Sequence, residues 1–126
     1  MGGTEGGLAQ LRALERLGVK PADVAELDAA AERPEPGPGA QWREVVAAAA
    51  DEALALHRAM DDVVGPAVRV VVTGGWRHSA EVMRAKAARF GPLDVSDVDE
   101  AGALGAATLA ARACGAIGAG DHLGQP

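Results

Sequence analysis

The sequence predicts a helix-rich α/β domain with a small, mainly parallel sheet of few strands. Apolar residues recur at helical spacing over most of the chain. Residues 67–73 form a β-branched run of the kind that makes a strand covered on both faces, as in parallel sheets. That run opens the order strand, helix, strand, helix, whose crossover length suits right-handed parallel pairing. With 126 residues the chain is long enough for one core.

Leu8, Leu11, Leu14 and Leu17 mark a first helix, with Gly18 where a C-terminal cap belongs. Pro21 suits the first turn of a second helix, whose apolar face is Val24, Leu27 and Ala31, with Asp23 near its positive end. The run Arg33-Pro34-Glu35-Pro36-Gly37-Pro38-Gly39 excludes helix and favours an extended linker. Trp42, Val45, Val46, Ala49, Ala53, Leu56, Met60 and Val64 then hold the helical period across the longest helix, which Gly65-Pro66 ends. Trp42 is expected to anchor the core. After the strand at 67–73, Ser79 can cap a helix with Glu81 in its first turn and Val82, Met83, Ala87 and Phe90 facing inward. Residues 93–96 are a short candidate strand, and an Ala/Gly-rich helix from about Glu100 to Cys114 ends at Gly115. Cys114 is expected to be a small buried side chain. The chain thus divides into a helical segment and Pro/Gly linker (1–40), a strand-bearing region (41–115) and a flexible tail (116–126).

Composition narrows the function. Aromatic residues are 2% of the chain and alanine fills long stretches, so each buried position removes little apolar area and stability should be modest. The formal charge is −6 and no basic cluster is interleaved with aromatics, which argues against nucleic acid and anionic membrane as partners. The most apolar region, 101–120, is mostly Ala and Gly and is broken by Arg112, too weak for a bilayer span. No secretory pattern follows Met1, and the lone Cys114 is compatible with a reducing compartment; the expectation is a cytoplasmic chain. His57, His78 and His122 are scattered, without the spacing of a metal site. Asp97, Asp99 and Glu100 read as acids near a helix N-terminus.

Two loops carry the functional signal. Thr73-Gly74-Gly75-Trp76 lies at the carboxyl end of a predicted parallel strand, where ligands collect in open α/β sheets. Its glycines fit either a tight structural turn or a loop that lets a ligand approach the main chain. Neither the Rossmann glycine spacing nor a Walker lysine is present. In the second strand-to-helix loop, Gly102 and Gly105 lie three apart on an Ala-rich helix, a pattern whose simplest reading is close packing of that helix on the sheet. Only two strands are evident, so the sheet looks like part of a larger one.

Thr73-Gly74-Gly75, Ser79 six residues after Thr73, and the run Glu100-Ala101-Gly102-Ala103-Leu104-Gly105-Ala106-Ala107 together resemble the C-terminal region of the FGGY family of carbohydrate kinases. The family's adenosine loop has the form T-G-G-G-A-x-S; here Trp76 stands at the third glycine. The resemblance covers residues 42–115, with a weaker likeness over 6–31. It implies a truncated ribonuclease-H-like (actin-like ATPase) domain and ATP-dependent phosphorylation of a sugar or polyol hydroxyl, with Mg²⁺ accompanying the nucleotide. It assigns Gly74, Gly75, Trp76, Ser79 and Gly102 to the adenosine site: glycines for close backbone approach, Trp76 as stack or wall, Ser79 as helix cap. It also implies that the sugar-binding domain, the phosphate loop and the general base lie outside these residues. The expected partners are ATP or ADP, and a missing half or a second copy of the chain; no catalytic residue is expected here. The rival reading is a non-catalytic, Ala-rich helical module that associates through an incomplete sheet edge.

Overall fold

The computed structural model describes residues 2–123. Five α-helices and one pair of short parallel strands follow one another: α1 (Gly2–Leu17), α2 (Val24–Ala31), α3 (Pro38–Val64), β1 (Val71–Val72), α4 (Ala80–Phe90), β2 (Asp94–Val95) and α5 (Ala101–Ala113). Short 3₁₀ turns at Pro21–Asp23 and Gly75–His78 lead into α2 and α4. The strands pair in register Val71 with Asp94 and Val72 with Val95. The helix-rich α/β class and the parallel pairing agree with the sequence.

The first helix ends as its glycine implies. The N–H of Val19 donates to Leu14 C=O and that of Gly18 to Glu15 C=O, the paired bonds of a Schellman cap. Its leucines do not share one face, however. Successive steps of three residues each fall back about 60° around a helix of 3.6 residues per turn, so Leu8 and Leu11 are exposed while Gln10, Ala13 and Leu14 are buried. The inward stripe is therefore 10, 13, 14 and 17.

The Pro/Gly segment is shorter than expected. α3 begins at Pro38, in the first-turn position that proline tolerates. Gly39 is buried where a Cβ would fall 2.5 Å from the carbonyl oxygen of Ala30, so its lack of a side chain sets how closely α3 crosses α2. Arg43 closes the end of α2 by donating to the carbonyls of Ala31 and Arg33. One core then spans both sides of this junction: Leu14, Leu27 and Ala31 pack with Trp42, Val46 and Val82. Trp42, fully buried at 0% exposure, is its largest member, as expected of an anchor.

The core draws its residues from α1 to α4 alone. The long apolar stripe of α3 continues past it largely uncovered: Leu56 and Met60 are exposed and Val64 is 82% exposed. Only residues 71–72 of the β-branched run form a strand, and the run is not covered on both faces: Val68 is completely exposed and Val71 and Val95 are open. A two-stranded sheet has too few rungs and too little surface to hold the rest of the run extended against helices. On its outer side a cleft of about 750 Å³, lined in part by Val71, Val95, Leu104 and Thr108, separates the sheet from α5. Gly102 and Gly105 therefore do not serve close helix-to-sheet packing, since a Cβ at either would meet open space. Thr108 is the single buried residue of α5, and Cys114, expected inside, is exposed.

The segment expected to be a flexible tail folds back as far as Leu123. Arg112 donates two hydrogen bonds to Asp121 C=O, Gly118 N–H donates to the Asp121 carboxylate, and Leu123 N–H to Thr108 Oγ1. A guanidinium near the last turn of α5 thus gathers the chain that leaves it. Residues 124–126 of that segment lie outside the described residues.

The interaction that joins three helices centres on Asp28, 6% exposed on the apolar face of α2. Its carboxylate accepts from Trp42 Nε1 at 2.9 Å, from Ser79 Oγ at 2.9 and 3.0 Å, and from the Ala80 N–H at 3.0 Å. Removing it leaves two buried donors, Trp42 Nε1 and Ser79 Oγ, and the part-buried Ala80 N–H without their acceptor. Asp28→Ala should lower stability by about 3–5 kcal/mol, read from the urea midpoint, with Asp28→Asn intermediate because its NH₂ group faces N–H and O–H donors. Gly39→Ala should cost about 1–3 kcal/mol by forcing α2 and α3 apart, in the same measurement.

Candidate functional site

The loop between β1 and α4 begins at Gly74, whose φ of 89° is a conformation that side-chain-bearing residues avoid. Residues 75–78 then make one 3₁₀ turn, with Ser79 N–H donating to Trp76 C=O at 3.1 Å. Arg77, its side chain almost wholly covered, holds the turn. Its guanidinium donates to Gly74 C=O at 2.9 Å and pairs with Asp99 at 2.5 Å. Asp99 belongs to the loop after β2, so this bridge sets the two loops at the carboxyl ends of the parallel strands side by side, where open α/β sheets receive ligands.

Ser79 caps α4 as expected: its Oγ accepts from Val82 N–H at 3.3 Å while donating to Asp28. The positive end of α4 is thereby already met by an internal carboxylate, because Asp28 also takes the Ala80 N–H. The next side chain, Glu81, is buried and receives both Nε and Nη2 of Arg84, at 3.0 and 2.5 Å. These hydrogen bonds outweigh the opposing effect of desolvation and, with a lesser contribution from the charge of Glu81, raise the Arg84 guanidinium above its ordinary pKa.

Beside the turn lies a hollow of about 450 Å³, walled by Gly75, Trp76, His78 and Ser79 on one side and by Leu11, Val24 and Asp28 on the other. Its size falls within the range of small-molecule sites. Gly75 is exposed, and nothing lies within 4 Å of where its Cβ would be. The main chain there is open rather than sealed. Trp76 is half-buried, its ring 5.8 Å from that of Trp42 and tilted by 41°, so that it stands as a fixed wall braced on the core.

Three of the five residues singled out by sequence, Gly75, Trp76 and Ser79, therefore line one hollow. Gly74 does not line it but sets the backbone that enters the turn. Gly102, in the first turn of α5, is exposed and lies outside the hollow. The sequence reading passed over Asp28, although its position was visible: Val24, Leu27, Asp28 and Ala31 make up a complete i, i+3, i+4, i+7 face with an acid at one of its core positions. Among the described residues no group of three or more His, Cys, Asp or Glu side chains is placed to hold a metal ion, and no helix is long and apolar enough to cross a membrane. No family model matches the chain, and no curated protein or solved structure matches it.

Gly75 lacks a positive φ and has free space, whereas Gly74 has the strained backbone. Gly75→Ala should therefore change stability by no more than about 0.5 kcal/mol, while Gly74→Ala should cost about 1–2 kcal/mol. Parallel urea titrations of the two variants check the difference.

Proposed function

We propose that the chain is the nucleoside-binding portion of an FGGY-type carbohydrate kinase, a truncated ribonuclease-H-like unit that phosphorylates no sugar by itself. The observation that carries this reading is the open hollow at Gly75, Trp76 and Ser79, residues that the family likeness assigns to adenosine. An adenine ring laid against the bare Gly75 main chain would have Trp76 as its apolar wall and His78 at the rim.

The fit extends to the nucleoside and stops there. At the start of α4, where an anion would otherwise be drawn, the Ala80 amide already serves Asp28 and the Val82 amide the Ser79 hydroxyl, so phosphates and the Mg²⁺ that accompanies them would point away from this helix. Phosphoryl transfer needs the nucleotide, the metal and the acceptor hydroxyl held in line with a base beside the acceptor. The residues around the hollow offer the first of these alone, and no catalytic residue is assigned. The sugar would be chosen by a second domain.

A second reading, a helical module that associates through its incomplete sheet, draws support from the exposed Val63, Val64, Val68, Val71 and Val95 around the two open strand edges.

Isothermal calorimetry separates them. The nucleoside reading expects adenosine and ATP to bind one per chain with similar affinity, because the phosphates contribute little, and Gly75→Trp to abolish both. Absence of heat from either ligand, with association that grows with concentration in sedimentation velocity, would leave the module reading standing in its place.

A further inference from the structure

On the far side of Trp76 from the hollow, a separate cavity of about 300 Å³ lies between β1 and helices α1, α3 and α4. Its walls are mostly aliphatic, supplied by residues such as Val46, Ala50, Val72 and Val82. The alanines of α3 are too small to reach β1, and the space between is left unfilled. Into this apolar setting α1 brings Gln10, 5% exposed, whose Nε2 has no hydrogen-bond partner among the described residues. Buried polar groups are nearly always paired, and an orphaned one costs about 1–3 kcal/mol.

The chemistry of the lining selects the ligand. Besides Gln10, its polar side chains are Thr73, Trp76 and Lys86, and no carboxylate is among them. Lys86 is half-buried and makes no ion pair among the described residues. With the Gln10 side-chain amide turned to face it, the cavity offers an amide N–H and an ammonium without an acidic partner, and a largely apolar body of space at the low end of small-molecule sites. We propose that this cavity binds a small amphipathic monocarboxylate, with its hydrocarbon part among the valines and alanines and its carboxylate recognised by Gln10 Nε2 and the Lys86 ammonium. Charge-assisted bonds of this type are stronger than those between neutral groups. The inference is independent of the nucleoside reading, because neither Gly75 nor Ser79 borders this cavity.

The test is titration of the full chain with octanoate, octanol and octylamine, followed by calorimetry and by tryptophan emission, to which Trp76 on the cavity wall should respond. Saturable binding of one octanoate per chain is expected, with octylamine inert and octanol weaker. Lys86→Met and Gln10→Leu should each weaken octanoate by about tenfold or more, while Gly75→Trp leaves it unchanged. Should Gln10→Leu fail to fold by circular dichroism, the half-buried Lys86→Met decides alone. Equal binding of octylamine, octanoate affinity indifferent to Lys86→Met, or no saturable response would each overturn the proposal and make the space a packing void.

Discussion

A single buried carboxylate organises this molecule. Asp28 receives an indole N–H from α3 and a hydroxyl and a backbone N–H from the start of α4, groups 14 to 52 residues away in sequence. Burying a charge is tolerable only where hydrogen bonds replace its hydration, and here those bonds come from separate helices, so satisfying the acid and assembling the fold are one event. The same contact fixes where α4 begins. It thereby fixes the turn before it, so that Gly75, Trp76 and His78 face α1 and α2 across the hollow.

Around that centre the core is built mainly from small residues. Trp42, Leu14 and Val46 are its largest fully buried members, and the others include Ala13, Ala31, Ala50 and Ala85. Small side chains let helices come close, as Gly39 does against Ala30. They do not fill the space between the helices and the strand pair. The result is tight contact where helix meets helix and open volume where helix meets strand, on both sides of β1.

Periodicity and punctuation made the helices legible. Gly18, Gly65, Gly91 and Gly115 stand just after helix ends, Ser79 caps α4, and Val71 pairs in parallel with Asp94. Burial was harder to read, because it depends on what is present to cover a face. The stripe of α3 is regular through Val64, yet Leu56, Met60 and Val64 in its second half are exposed, and of the valines with strand character Val68 stays outside the sheet and Val71 lies on an open face of it. At the candidate site, local chemistry pointed to Gly75, Trp76 and Ser79, but the distant partner Asp28 needed the folded chain, since helix spacing marks it as core without saying which donors it will meet. Gly102 shows the converse: a motif contiguous in sequence places it in the first turn of α5 and not at the hollow.

The uneven burial has a dynamic consequence. Everything that holds α1 to α4 together lies at one end, while β1, β2 and α5 meet the rest through a few rungs, the Arg77–Asp99 bridge and a single inward threonine. Cooperative units of a protein open at free energies set by their own buried contacts. The strand pair and last helix should therefore exchange amide hydrogens through sub-global opening well before the four-helix end lets go, and a protease would sever the chain after α4 and leave that end intact.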